Sequence, residues 1–112
     1  MTMSWFDLLE TSFRGELMAC QMMQFVGRCF RMLGKLVTIK YVRTCNGDPM
    51  ALGTFVDATG EPFDTVHFPQ AYKAYPFQGD GVYLLLGKVT EEFGQPSLQV
   101  EKMAKMPYKP QK

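Results

Sequence analysis

The apolar positions of this chain change their period near Gly27. Between Glu16 and Val26, the residues Leu17, Met18, Met22, Phe25 and Val26 recur at helical spacing without a β-branched run, and Gly27 follows them. That pattern predicts one amphipathic helix with a glycine stop. Its methionines read as ordinary core, with an adaptable partner-binding face as the alternative. From Cys29 onward β-branched and aromatic residues take over, and CFRMLGKLVTIKYVRT predicts a long first strand with Gly34 at a bulge or sharp bend. Strict alternation would set Lys35 beside Val37, Ile39 and Tyr41, and Lys40 beside Leu36. A bulge that changes parity within the strand relieves part of that conflict.

Cys45-Asn46-Gly47-Asp48 is a strong hairpin signal, because Asn-Gly accepts the positive φ that tight hairpin turns require. Met50 to Val56 then forms the second strand, Asp57 to Gly60 a turn, and Phe63 to Phe68 the third strand. Pro69 opens QAYKAY, a helix of one or two turns that ends before Gly79-Asp80-Gly81. Val82 to Phe93 is a fourth strand interrupted by Gly87, Gly94-Gln95 a turn, and Ser97 to Met103 the fifth strand. This order predicts a mainly β domain over residues 16–106, between an N-terminal extension at 1–15 and a flexible tail at 107–112. The architecture expected is the OB-fold: a five-stranded Greek-key barrel with an N-terminal helix and a short helix between the third and fourth strands. Val82 to Leu86 is apolar on both parities, so the fourth strand should also be covered on its outer side. The N-terminal helix or the Trp5/Phe6 cluster is the available cover.

Composition narrows the class. A chain of 112 residues with 46% hydrophobic content suits one soluble domain and leaves no room for a substrate domain beside a cofactor domain. MTMSWFDLLE lacks the basic start and apolar stretch of a secretory signal, so a cytoplasmic location is expected and no membrane partner. Cys20, Cys29 and Cys45 form no CxxC pair, which favours free thiols over a zinc site. The net charge of +1 hides a basic stretch, Leu17 to Gly47, with Arg28, Arg31, Lys35, Lys40 and Arg43 and no acid. An acidic stretch from Asp48 to Pro69 follows it. A basic stripe suits salt-sensitive contact with a polyanion, and a solvated strand face explains it equally well.

The stretch TFVDATGEPFDTVHFP brings Asp57, Asp64 and the only histidine, His67, close together in sequence. A two-metal site needs more carboxylates converging on one point, and a zinc site needs ligands this chain does not supply. Asp57 ahead of Gly60 is better explained as a turn-forming aspartate, and His67 as a core or barrel-rim histidine bonded to a backbone carbonyl. No nucleophile motif and no phosphate-binding glycine loop occurs, so neither catalysis nor a cofactor is indicated. What remains is cations interleaved with aromatics on strands, the surface that single-strand binders of this fold use.

The stretch GKLVTIKYVRTCNGDPMALGTFVDATGEPFDTVHFP, with YLLLGKV after it, closely resembles the OB-fold domain at the C-terminal end of the bacterial replicative DNA polymerase III alpha subunit. Arg43-Thr44, Gly47, Pro49-Met50, Thr54-Phe55, Asp57, Gly60 and Phe68-Pro69 stand in register with that family's pattern. The ending EEFGQPSLQVEKMAKMPY looks like versions from Bacteroidetes, and the likeness runs from about Phe13 to Tyr108. The resemblance implies a non-catalytic module that contacts single-stranded DNA in replication, since the family's catalytic domains lie outside such a segment. Similarity to anticodon-binding domains of this fold makes Lys40, Arg43 and Leu52 the leading contacts, with Lys35, Tyr41 and Lys88 behind them. Two departures lower the expected affinity: Cys45 to Asp48 lacks the basic charges common in relatives, and Leu52 stands where an aromatic is frequent. The alternative is a protein-interaction module that docks onto polymerase or replisome partners through the apolar fourth strand and the methionine-rich helix.

Overall fold

A computed structural model describes residues 15–79 and 81–106. The expected Trp5/Phe6 cover and the flexible tail lie outside the described residues. Five strands, β1 (Cys29–Arg43), β2 (Pro49–Val56), β3 (Pro62–His67), β4 (Val82–Glu92) and β5 (Gln95–Lys105), close a barrel in the order β1-β2-β3-β5-β4. All neighbours are antiparallel except β3 and β5, which run parallel. A short helix, α1 (Pro69–Ala74), links β3 to β4 with proline in its first turn. The protein is therefore mainly β, with an OB-like closed barrel.

The long first strand serves both halves of the barrel. Its early residues pair with β4 as far as Lys35↔Val82, and from Lys35↔Val56 onward it pairs with β2. The expected bulge lies at Val37, between Leu36 and Thr38, rather than at Gly34. Before it the inward residues are Met32, Gly34 and Leu36; after it Ile39 and Tyr41 take the inward parity, opposite the buried Gly53 and Ala51. Gly34 answers a packing demand instead. A Cβ there would stand 2.8 Å from the Phe55 Cβ and 2.8 Å from the Phe63 ring, so only glycine lets those rings approach β1.

Both early hairpins use the same loop. Thr44 N–H bonds to Asp48 O and Gly47 N–H to Thr44 O, and Asp57, Glu61 and Gly60 repeat the arrangement. Gly47 (φ 88°) and Gly60 (φ 91°) occupy the left-handed position, and neither Asn46 nor Thr59 does. The Asn-Gly signal thus marks a three-residue loop closed by a left-handed glycine, not a two-residue turn.

The helix expected over Glu16 to Val26 is shorter and wound as 3-10, Ala19–Phe25. The chain before it is held to β1: Gly15 bridges Met32, and Glu16 accepts the Arg31 N–H at 2.8 Å and its guanidinium at 3.2 Å. Those bonds keep the preceding residues extended, and helical winding begins only after Met18. This segment packs inward: Leu17 and Met22 are buried in the barrel cluster with Met32, Phe55, Leu85, Leu98 and Val100. It is not the outer cover of β4. On that outer side Leu33 and Val82 are buried with Leu84 and Met106 against them.

Asp57 ties this segment to the β2–β3 loop. One carboxylate oxygen accepts the Ala19 N–H at 2.8 Å; the other accepts the Thr59 N–H at 2.9 Å, the Thr59 hydroxyl at 2.6 Å and the Glu61 N–H at 3.0 Å. Desolvation works against ionisation of this buried group, but the four donors outweigh it and hold its carboxyl below the usual carboxylate range. Asp57→Ala is expected to cost about 2 kcal/mol, because it strands several donors at once. In the native protein that contribution is present at neutral pH and fades as pH falls through the folded value, since the unfolded chain takes up the proton first. Urea unfolding of both proteins at neutral pH measures the cost.

Candidate nucleic-acid interface

Cross-strand pairing sets the sequence-predicted contacts in order. Lys40 on β1 faces Leu52 on β2, Leu52 faces Val66 on β3, Val66 faces Gln99 on β5, and Gln99 faces Lys88 on β4. All five stand on the outer parity, with Lys40, Leu52 and Lys88 exposed and Val66 and Gln99 half-buried. Because side chains alternate faces along a strand, the row is a continuous band: two ammonium groups flanking an apolar and amide centre. Four strand spacings separate the two lysines, about 19 Å along the curved surface. Among the described residues the ion pair is Arg31 with Glu16, so neither lysine of the row is neutralised by one.

A second outer row runs beside the first: Thr38, Thr54, Asp64, Ser97 and Thr90. Asp64 therefore points outward, into the face that the lysines flank, and accepts a hydrogen bond from the Thr54 hydroxyl at 3.2 Å. The two rows and the β4–β5 hairpin enclose a groove of about 560 Å³, lined by Leu52, Thr54, Asp64, Val66, Phe93 and Ser97 among others. Next to it, toward the β1–β2 loop, a further cavity of about 440 Å³ adds Met50, Phe68 and Gln99.

The remaining predicted contacts lie elsewhere. Arg43 stands on the parity opposite to Lys40, and its guanidinium donates to Gly47 O at 2.7 Å, within its own hairpin. Tyr41 is exposed beside α1, edge-on to Tyr72 at 6.1 Å between centroids. Lys35 is half-buried where β1 changes partner, and its ammonium donates to Leu36 O at 2.8 Å. The structure thus brings Lys40, Leu52 and Lys88 onto one face and separates Arg43, Tyr41 and Lys35 from it. The basic stretch is dispersed further by Arg31, which meets Glu16, and by Arg28, which lies over the Phe30 ring at 5.8 Å.

Sequence reasoning missed Phe93. It is 94% exposed, with φ 53°, at the tip of the hairpin where Glu92 pairs with Gln95. Phe93 and Gly94 (φ 79°) are the two loop residues of a tight turn, so β4 ends at Glu92. Glu91 secures the hairpin by accepting the Gly94 N–H at 2.8 Å. An aromatic ring in a left-handed, solvent-facing position has no packing reason to be there. The signal in the sequence was Phe93 directly before Gly94, hidden by its continuity with an apolar strand. Phe68, 44% exposed between β3 and α1, is a second aromatic on this side.

His67 takes no part in the face. It is buried, its Nε2 lies 2.8 Å from the Thr65 hydroxyl, and its ring is tilted against Phe77 at 4.8 Å. Its partner is a threonine hydroxyl rather than a backbone carbonyl. Asp57, Asp64 and His67 consequently form no common site, and among the described residues no group of histidine, cysteine or acidic side chains could hold a metal ion. Cys20, Cys29 and Cys45 are exposed free thiols. No described helix is long and apolar enough to cross a membrane. No protein-family model matches the chain, and no curated protein matches its sequence.

Proposed function

We propose that this protein is a non-catalytic OB-type module that binds single-stranded DNA across the outer face that runs from Lys40 on β1 over β2, β3 and β5 to Lys88 on β4, in the replication context that its resemblance to the polymerase III alpha subunit suggests. The observation that carries the reading is the row Lys40–Leu52–Val66–Gln99–Lys88, a band with cations at both ends and an apolar and amide centre. In barrels of this kind ligands lie over the second and third strands, between the first hairpin loop and the last. Lys40 and Lys88 then neutralise phosphates, Leu52 and Val66 form a platform under the bases, and Phe93 offers a ring for stacking. Asp64 opposes phosphate on the same face and keeps affinity modest.

Fluorescence anisotropy of labelled oligothymidylate tests this. Binding is expected at low salt, weakening linearly in log concentration as salt rises. Lys40→Ala with Lys88→Ala should flatten that slope by about 1.4, since each phosphate neutralised on a single strand contributes roughly 0.7. Arg43→Ala should leave the slope unchanged because its guanidinium serves the hairpin. Failure to bind at low salt and high micromolar protein would overturn the reading.

A further inference from the structure

The groove holds a carboxylate where a simple phosphate-tracking surface would not. Asp64 is exposed at the centre of the second outer row, between Thr54 and Ser97, and the same groove is lined by Leu52, Val66 and the Phe93 hairpin. Thr54 donates to one of its oxygens, which holds the group on this face and leaves acceptor capacity on both oxygens. An ionised carboxylate accepts hydrogen bonds only, and it binds best to two adjacent donors. Among the bases, guanine alone presents two neighbouring donors, N1–H and the N2 amino group, on its pairing edge. Thymine offers one N–H flanked by two carbonyls, and cytosine and adenine place a ring acceptor beside their amino groups, so each would set an acceptor against a carboxylate oxygen.

We propose that the groove between the β2–β3 face and the Phe93 hairpin is a base-reading pocket for guanine in a single strand, with Asp64 accepting from N1–H and N2–H and Phe93 stacking on the base. This rests on the nucleic-acid reading above and adds selectivity to it. The groove of about 560 Å³ has room for one splayed base. Leu52 and Val66 supply an apolar floor, and Lys40 and Lys88 lie to either side for the flanking phosphates. The carboxylate thereby has a purpose as well as a cost: it repels the backbone and rewards one base.

The test compares two labelled DNA strands of about twelve nucleotides, a length within the reach of one barrel. One is all thymidine, and the other carries a single central guanosine, which avoids guanine self-association. The native protein is expected to bind the guanosine strand about tenfold more tightly, the lower part of the range for a two-bond base contact. Asp64→Asn, an exposed and nearly isosteric change, should abolish that preference while tightening binding to the all-thymidine strand. Phe93→Ala should weaken both strands by a similar factor. Equal binding of both strands by the native protein, or a preference that survives Asp64→Asn, overturns the guanine assignment alone. Absence of binding to either strand overturns the nucleic-acid reading and this assignment with it.

Discussion

Gly87→Ala is expected to cost about 3 kcal/mol or more, against about 1 kcal/mol for Gly47→Ala. The two glycines are constrained by different physics. Gly47 needs its left-handed backbone, but a Cβ there would meet nothing within 4 Å. Gly87 is buried in β4, and a Cβ on it would stand 2.3 Å from Gln99 O and 3.0 Å from Val100 Cα. Those are backbone atoms of the neighbouring strand, so no rotamer change relieves the clash. The register between β4 and β5 shifts here, Leu86 facing Lys102 and Gly87 facing Val100, which draws β5 close to β4 at this point. Relief would require β5 to move outward and carry Leu98, Val100 and Met103 with it, all members of the core cluster. Urea unfolding of both variants reads the difference. A Gly87→Ala midpoint no lower than that of Gly47→Ala would show that the strands can separate cheaply.

Acidification from pH 6.5 to about 4 is expected to remove about 3 kcal/mol of stability through His67 alone. Burial pushes the imidazole down to about 4, because the charged ring would leave water for a site lined by Phe77 and Thr65. Well above pH 6.5 the ring is neutral in both folded and unfolded chains and the full contribution is present. Between the two values the unfolded chain binds a proton that the folded chain refuses, so stability falls as pH falls. The window above pH 5 is nearly free of carboxylate titration, and His67 is the only histidine. His67→Gln keeps a hydrogen-bonding group beside Thr65 and removes the titration. Its unfolding free energy should be flat between pH 6.5 and 5 while that of the native protein declines; parallel curves would contradict the burial of the ring.

The local features of the fold were legible where a short-range rule decides them. Gly47 and Gly60 announced both early hairpins, Pro69 the start of α1, and the long β-branched run from Leu36 to Val42 the first strand. Rules that depend on distant partners were not legible. Gly34 carried every mark of a bulge, yet it is a space requirement set by Phe55 and Phe63, and the bulge fell at Val37. That displacement matters for the candidate interface. Parity along β1 depends on where the extra residue sits, and parity decides that Lys40 joins Leu52 while Arg43 turns to its hairpin. Asp57 was readable as a turn former, but its bond to Ala19 spans 38 residues and leaves no local trace. The helix begins later than its apolar spacing predicts because Glu16, which fits a first helical turn when taken alone, is captured by β1, as is Gly15 before it. Phe93 was absorbed into an apolar strand because periodicity does not distinguish a last strand residue from a hairpin tip.

The proposed function places single-stranded DNA on the outer face that runs from Lys40 to Lys88. The most direct measurement is an amide chemical-shift titration of the isotope-labelled protein with oligothymidylate at low salt. Perturbations are expected to concentrate at Lys40, Leu52, Val66, Gln99, Lys88 and the Phe93-Gly94 turn, with His67 and the Arg43 hairpin little changed. Perturbations centred instead on Leu84 and Leu86, nearer the start of β4, or none at saturating DNA, would contradict that placement.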